Sequence, residues 1–149
     1  MNSEPIIRQQ AEKMGLVYKF GSLPYLNKAL DAIARDKTKG AMYCLNIQTT
    51  DGSYSFSPSP YYRHATETQK VQIAFCAKIA LDYEPDKVEA LVDGLKAKAL
   101  ELLTDIDALG FWQAIENTAY RVMFDAFDAN LVVVLFSFDL TEINGSCIE

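Results

Sequence analysis

Residues 88–106 carry apolar side chains at Val88, Leu91, Val92, Leu95, Ala99, Leu102, Leu103 and Ile106. Spacings of three and four put all eight on one stripe of a helix. Tyr120 to Phe127 follows, then Asp128-Ala129-Asn130, then Leu131 to Glu142. That pattern reads as two strands joined by a tight turn, because Asp and Asn side chains bond the local backbone. A long amphipathic helix feeding a strand pair has to bury its stripe against one face of a sheet. Few other features of the chain constrain the fold as much.

Upstream, residues 4–13 form a short polar helix and Leu16 to Phe20 a short strand or connection. Ser22 can cap a helix that begins at Leu23, with Pro24 tolerated in its first turn. Leu23, Leu26, Leu30 and Ile33 lie on one face of it, and it should stop near Asp36. Ala41 to Thr49 reads as a strand with Tyr43, Leu45 and Ile47 on one side and Cys44, Asn46 and Gln48 on the other. Asp51-Gly52 is a turn signal, and Tyr54 and Phe56, alternating with serines, suggest a return strand. Ser57-Pro58-Ser59-Pro60 breaks that pattern, so residues 57–66 are expected to be an exposed loop. Val71 to Leu81 is the clearest strand, apolar on one face and mixed on the other. Pro85 suits the first turn of the long helix, which only Gly94 interrupts.

In the last strand Val132, Val134, Phe136, Phe138 and Leu140 share one face. Leu131, Val133 and Leu135 make the start of the other face apolar too. That start is therefore covered on both sides, by the chain itself or by a neighbour. Together the elements predict one α+β domain over residues 1–149, a mainly antiparallel sheet with the long amphipathic helix packed on one face.

Composition narrows the partners. The chain has 149 residues, half of them apolar, and a net charge of −6. That is enough apolar material for a core without disulfides or metals. Arg35, Lys37 and Lys39 are the nearest thing to a basic cluster, which is a poor basis for phosphate neutralisation. Three widely spaced cysteines (Cys44, Cys76 and Cys147) indicate neither a disulfide framework nor a zinc site. Cys44 and Cys76 read as small apolar residues in strands, Cys147 as a tail thiol, and a reducing compartment is expected. No signal-peptide pattern opens the chain and no apolar run is long enough to span a bilayer.

Chemistry is thinly supported. His64 is the only histidine, so no histidine-based metal pair is available, and no nucleophile stands near it in sequence. Asp82, Glu84 and Asp86 favour a helix N-terminus through its dipole rather than a calcium loop. Asp125, Asp128 and Asn130 are ordinary turn residues. No Gly-rich phosphate loop, nucleophile elbow or Cys-x-x-Cys occurs. No catalytic residue, metal ligand or cofactor-binding residue is assigned. Tyr54, Phe56, Tyr61 and Tyr62 flank the Ser-Pro-Ser-Pro break, where aromatics either anchor an interface or fold back on the sheet. The candidate interface is therefore Tyr54, Phe56, Tyr61, Tyr62, Leu131, Val133 and Leu135.

Two segments carry a resemblance. One is Phe20-Gly21-Ser22-Leu23-Pro24-Tyr25-Leu26-Asn27-Lys28-Ala29-Leu30. The other runs from Phe124-Asp125-Ala126-Phe127-Asp128-Ala129-Asn130-Leu131-Val132-Val133-Val134 into Phe138-Asp139-Leu140-Thr141. With the element order they resemble phage tail-terminator and neck proteins, in particular small proteins of Bacteroidetes phages and prophages. The resemblance implies a structural virion protein, made in the bacterial host cytoplasm, that forms a homo-oligomeric ring, commonly of six subunits. Such a ring caps the tail tube at the head–tail junction, contacts tube and neck proteins, and lets DNA pass without specific binding. It implies no enzyme activity, no cofactor and no membrane partner. A head–tail connector or adaptor is the nearest structural alternative. A monomeric small-ligand-binding or enzymatic α+β domain is the rival class, which a deep apolar pocket containing His64 or the Asp125/Asp128 pair would favour.

Overall fold

The computed structural model describes residues 2–35, 41–49, 51–57, 63–79, 84–126, 131–143 and 146–148. Its elements, in chain order, are α1 (Glu4–Lys13), β1 (Val17–Gly21), α2 (Leu23–Arg35), β2 (Met42–Ile47), β3 (Gly52–Ser57), β4 (Arg63–Lys78), α3 (Pro85–Ala108), β5 (Thr118–Ala126), β6 (Leu131–Thr141) and β7 (Ser146–Ile148). The fold is α+β, as the helical stripe and the terminal strand pair predict.

One sheet holds all seven described strands. Its main path is β1-β2-β4-β6-β5. β1 runs parallel to β2, with α2 as the crossover that a parallel pair needs. The other pairings are antiparallel. β4 is the organising strand. Its C-terminal half pairs with β2 on one side and β6 on the other. Toward its N-terminus β3 follows β2 on one side and β7 follows β6 on the other.

Alternation along the strands sorts the core into two layers. On one face Val71, Ile73, Phe75, Val134 and Phe136 meet Leu95, Ala99, Leu102 and Ile106 of α3 and Ile7 and Ala11 of α1. Phe75 and Phe136 meet edge to face at 5.8 Å, a favoured ring geometry. On the opposite face Tyr43, Leu45, Ala74, Cys76, Leu131 and Val133 gather around Leu26 of α2. Two apolar faces need two cover layers, and helices supply both.

Three expectations change. Residues 63–66 are strand, not loop: Thr66, Ala65 and His64 pair with Ser55, Phe56 and Ser57. The prolines at 58 and 60 interrupt the pattern without ending the sheet, because β3 pairs before them and β4 after them. β3 is also no return partner of β2, since both strands pair with β4, end to end along one side of it. Thirdly, residues 146–148 form β7, and His64 pairs with Cys147 through the backbone. No apolar alternation announced so short a strand.

Local chemistry explains the helix ends. Ser22 Oγ accepts the Tyr25 N–H at 3.4 Å, at the reach of a first-turn cap. Pro85 occupies the first turn of α3 behind Glu84, which is extended. After α1 the chain reverses through Gly15 at φ 79°, a left-handed conformation that favours glycine.

Candidate interaction surface

β3 and the first half of β4 continue past the region the helices cover, forming an arm. The alternation of Gly52–Ser57 is sharp. Tyr54 and Phe56 point to the same side of the sheet as Ala65 and Glu67, which is the side of α1 and α3. Ser53 and Ser55 share the other side with Thr66 and Thr68. The arm thus has an aromatic face and a hydroxyl face. Tyr54 is 62 % exposed and Phe56 57 %, so the aromatic face is not built into the core.

That face also carries a carboxylate beside the phenol. Tyr54 Oη donates to Glu67 Oε2 at 2.8 Å, and the carboxylate pushes the phenol pKa up by favouring its protonated form. Glu142 lies alongside, its Oε2 accepting the Glu67 N–H at 3.4 Å.

On α2, Leu26 is buried against the opposite face of the sheet, while Leu23 is 53 % exposed. Between α2 and β5 lies a groove of about 100 Å3, lined by Leu23, Leu45, Ile47, Ala74, Met123 and Leu135 among others. Arg121, exposed, pairs with Leu135 across β5 and β6. Side chains two apart on a strand share a face, so Arg121 sits beside Met123 at the groove rim.

The predicted interface residues separate. Tyr54 and Phe56 are on the arm. Leu131 and Val133 are covered by the chain itself, at 0 % and 2 % exposure, and Leu135 is half-buried at the groove. Tyr61 and Tyr62 lie outside the described residues, as do Asp82, Asp128 and Asn130. Asp125 and His64 are placed on strands by their backbone alone. Met123 and Arg121 escaped sequence reasoning. Their signal was the alternation within Thr118–Ala126, legible only once its register with β6 was known.

A second recess, of about 580 Å3, opens where α1, β2 and the base of the arm meet, with Glu4, Asn46, Asp51, Glu67 and Lys70 on its walls. Its lining holds no His or Cys. Among the described residues no group of three or more His, Cys, Asp or Glu could hold a metal ion. No helix of the described residues is long and apolar enough to cross a membrane.

No family model, curated protein or solved structure matches this chain. The surfaces themselves are therefore the guide to its role.

Proposed function

We propose that this chain is a structural subunit that works by assembling with copies of itself, as a ring-forming tail terminator or tail completion protein at a phage head–tail junction. The aromatic face of the arm carries this reading. Two large aromatic side chains more than half exposed on a regular strand are poor monomer surface and good interface anchors. The tail assignment draws on the two resembling segments. One spans the end of β1 and the first turns of α2, the other the end of β5 and much of β6. In this role the ring meets the tail tube on one side and neck proteins on the other. A net charge of −6 lets DNA pass a lumen without adhering. No catalysis, cofactor or metal enters.

Light scattering after size exclusion, over a concentration range and with or without purified tail tube protein, tests this. The expected result is a species of one uniform mass that negative-stain images show as rings, and that adds to tube ends. A protein that stays monomeric alone and with tubes overturns the proposal.

A further inference from the structure

We infer that the outer edge of β3 pairs with β3 of a second copy, antiparallel about a two-fold axis through Ser55, so that the two sheets become one. The inference goes beyond the ring reading, because a two-fold contact closes on one pair and makes no ring by itself.

Among the described strands only β4 pairs with β3, so its other edge offers backbone N–H and C=O groups to a further strand. Such an edge is a template for another chain, and proteins normally guard it with charge, a bulge or short length. The other outer strands are guarded. β1 carries Lys19 and β5 carries Arg121, both exposed. β5 also has a register shift between Phe124 and Ala126, and β7 has only three residues. Gly52–Ser57 has no charge, no proline and no register shift, and all six residues are exposed.

The order of its residues points to a second copy as the occupant. Ser53-Tyr54-Ser55-Phe56-Ser57 alternates hydroxyl and ring symmetrically about Ser55. Directly opposite residues of an antiparallel pair share a face and interact. A pair centred on Ser55 therefore sets Tyr54 against Phe56 of the partner subunit, twice, and serine against serine. A pair centred on Tyr54 would set Gly52 against Phe56, and one centred on Phe56 would set Pro58 against Tyr54. Each of those keeps one ring pair instead of two. Charge agrees with the same register. Glu67 lies opposite Tyr54 and Ala65 opposite Phe56. A row across the joined sheet thus reads Glu67, Tyr54, then Phe56 and Ala65 of the partner subunit, and no carboxylate meets another across the axis. Glu142 lies farther out, beyond Glu67. By register His64 stands opposite Ser57 and Arg63 beyond it, at the end of the contact, where Ser53 and Gly52 of the partner subunit carry no charge.

Cysteine cross-linking in a Cys147→Ser background reads the register. Opposite Cα atoms of an antiparallel pair are about 4.5–5.5 Å apart, within disulfide reach. Under mild oxidation Ser55→Cys should form a covalent dimer of twice the 16.7 kDa chain mass. Ser53→Cys and Ser57→Cys should each stay uncrosslinked alone and link when mixed. Phe56→Lys guards the edge with charge. Light scattering should find it monomeric, with an unchanged circular dichroism spectrum, at concentrations where the unmodified chain associates. The pairing is wrong if Ser53→Cys or Ser57→Cys alone links as fast as Ser55→Cys, if none of them links, or if Phe56→Lys associates like the unmodified chain. Rings formed equally well by Phe56→Lys would overturn this pairing and leave the ring reading standing. A register-specific dimer that forms no rings and adds to no tail tube would do the reverse.

Discussion

Glu4 is 9 % exposed, and its carboxylate is held by two donors, Arg8 and the Tyr18 hydroxyl. Tyr18 Oη also accepts Asn46 Nδ2 at 3.0 Å. This chain of bonds lets an amide sit 4 % exposed on β2, between α1 and the sheet. Tyr18→Phe breaks both of its links and should cost roughly 1–3 kcal/mol in urea unfolding, because Asn46 is left without its acceptor. Adding Asn46→Leu should return part of that loss, since an apolar pair needs no partner. Cys44 and Cys76 are fully buried, and burial pushes both thiols up to about 12 from their ordinary 9.0. A raised folded value means that the native state holds the protons longer than the unfolded chain. Their contribution is therefore complete below about pH 9 and is lost as pH climbs toward 12. Denaturant midpoints should fall across that window, and Cys76→Ala should flatten the fall. In a Cys147→Ser background, a thiol reagent at pH 8 should label the protein only as fast as it unfolds.

At the scale of elements, α3 is the main lid on the sheet. Leu95 and Leu102 are both fully buried, whereas Leu100, two positions before Leu102, is 57 % exposed. Leu102→Ala should cost about 2–5 kcal/mol through lost contacts and a cavity. Leu100→Gln should change stability by less than about 0.5 kcal/mol. Thermal unfolding of the two variants side by side checks the assignment of the stripe. Gly94 interrupts the same helix. A Cβ added there would meet Met42 Cε at 3.7 Å, an ordinary contact, so Gly94→Ala should stabilise the protein by about 1 kcal/mol. Lys96 Nζ stands 4.2 Å from the Tyr120 ring centre, tying α3 to the edge strand β5 by a cation–π contact.

For the whole molecule, the arrangement leaves two kinds of surface unfinished. The arm extends the sheet beyond the helices, and a groove of about 100 Å3 lies between α2 and β5. β5 ends the main path of the sheet, and a sheet edge normally needs cover or charge; Arg121 supplies charge there. Assembly through the arm should slow hydrogen exchange at the amides of β3 together with oligomer formation. Amides of β4 next to β2 and β6, paired on both sides within one chain, should be protected in the monomer already.

The α+β class, the span of α3, the core face of β6 and the strand pair β5–β6 were all legible from spacing alone. Each depends on local periodicity, and a helical or alternating pattern states which side chains must be buried wherever the element ends up. The sequence by itself also placed Cys44 and Cys76 in strand interiors. What only the tertiary structure decided is partnership. That β3 joins β4 and not β2, that residues 63–66 are paired, and that Ser146–Ile148 adds a strand all depend on pairings between distant segments, which no local pattern encodes. The same holds for the candidate surface. Tyr54 and Phe56 stood out as aromatics, but the groove is assembled from α2, β2, β4, β5 and β6. Leu131, Val133 and Leu135 looked equivalent along one strand face; in the fold Leu131 and Val133 are buried and Leu135 is half-buried at the groove.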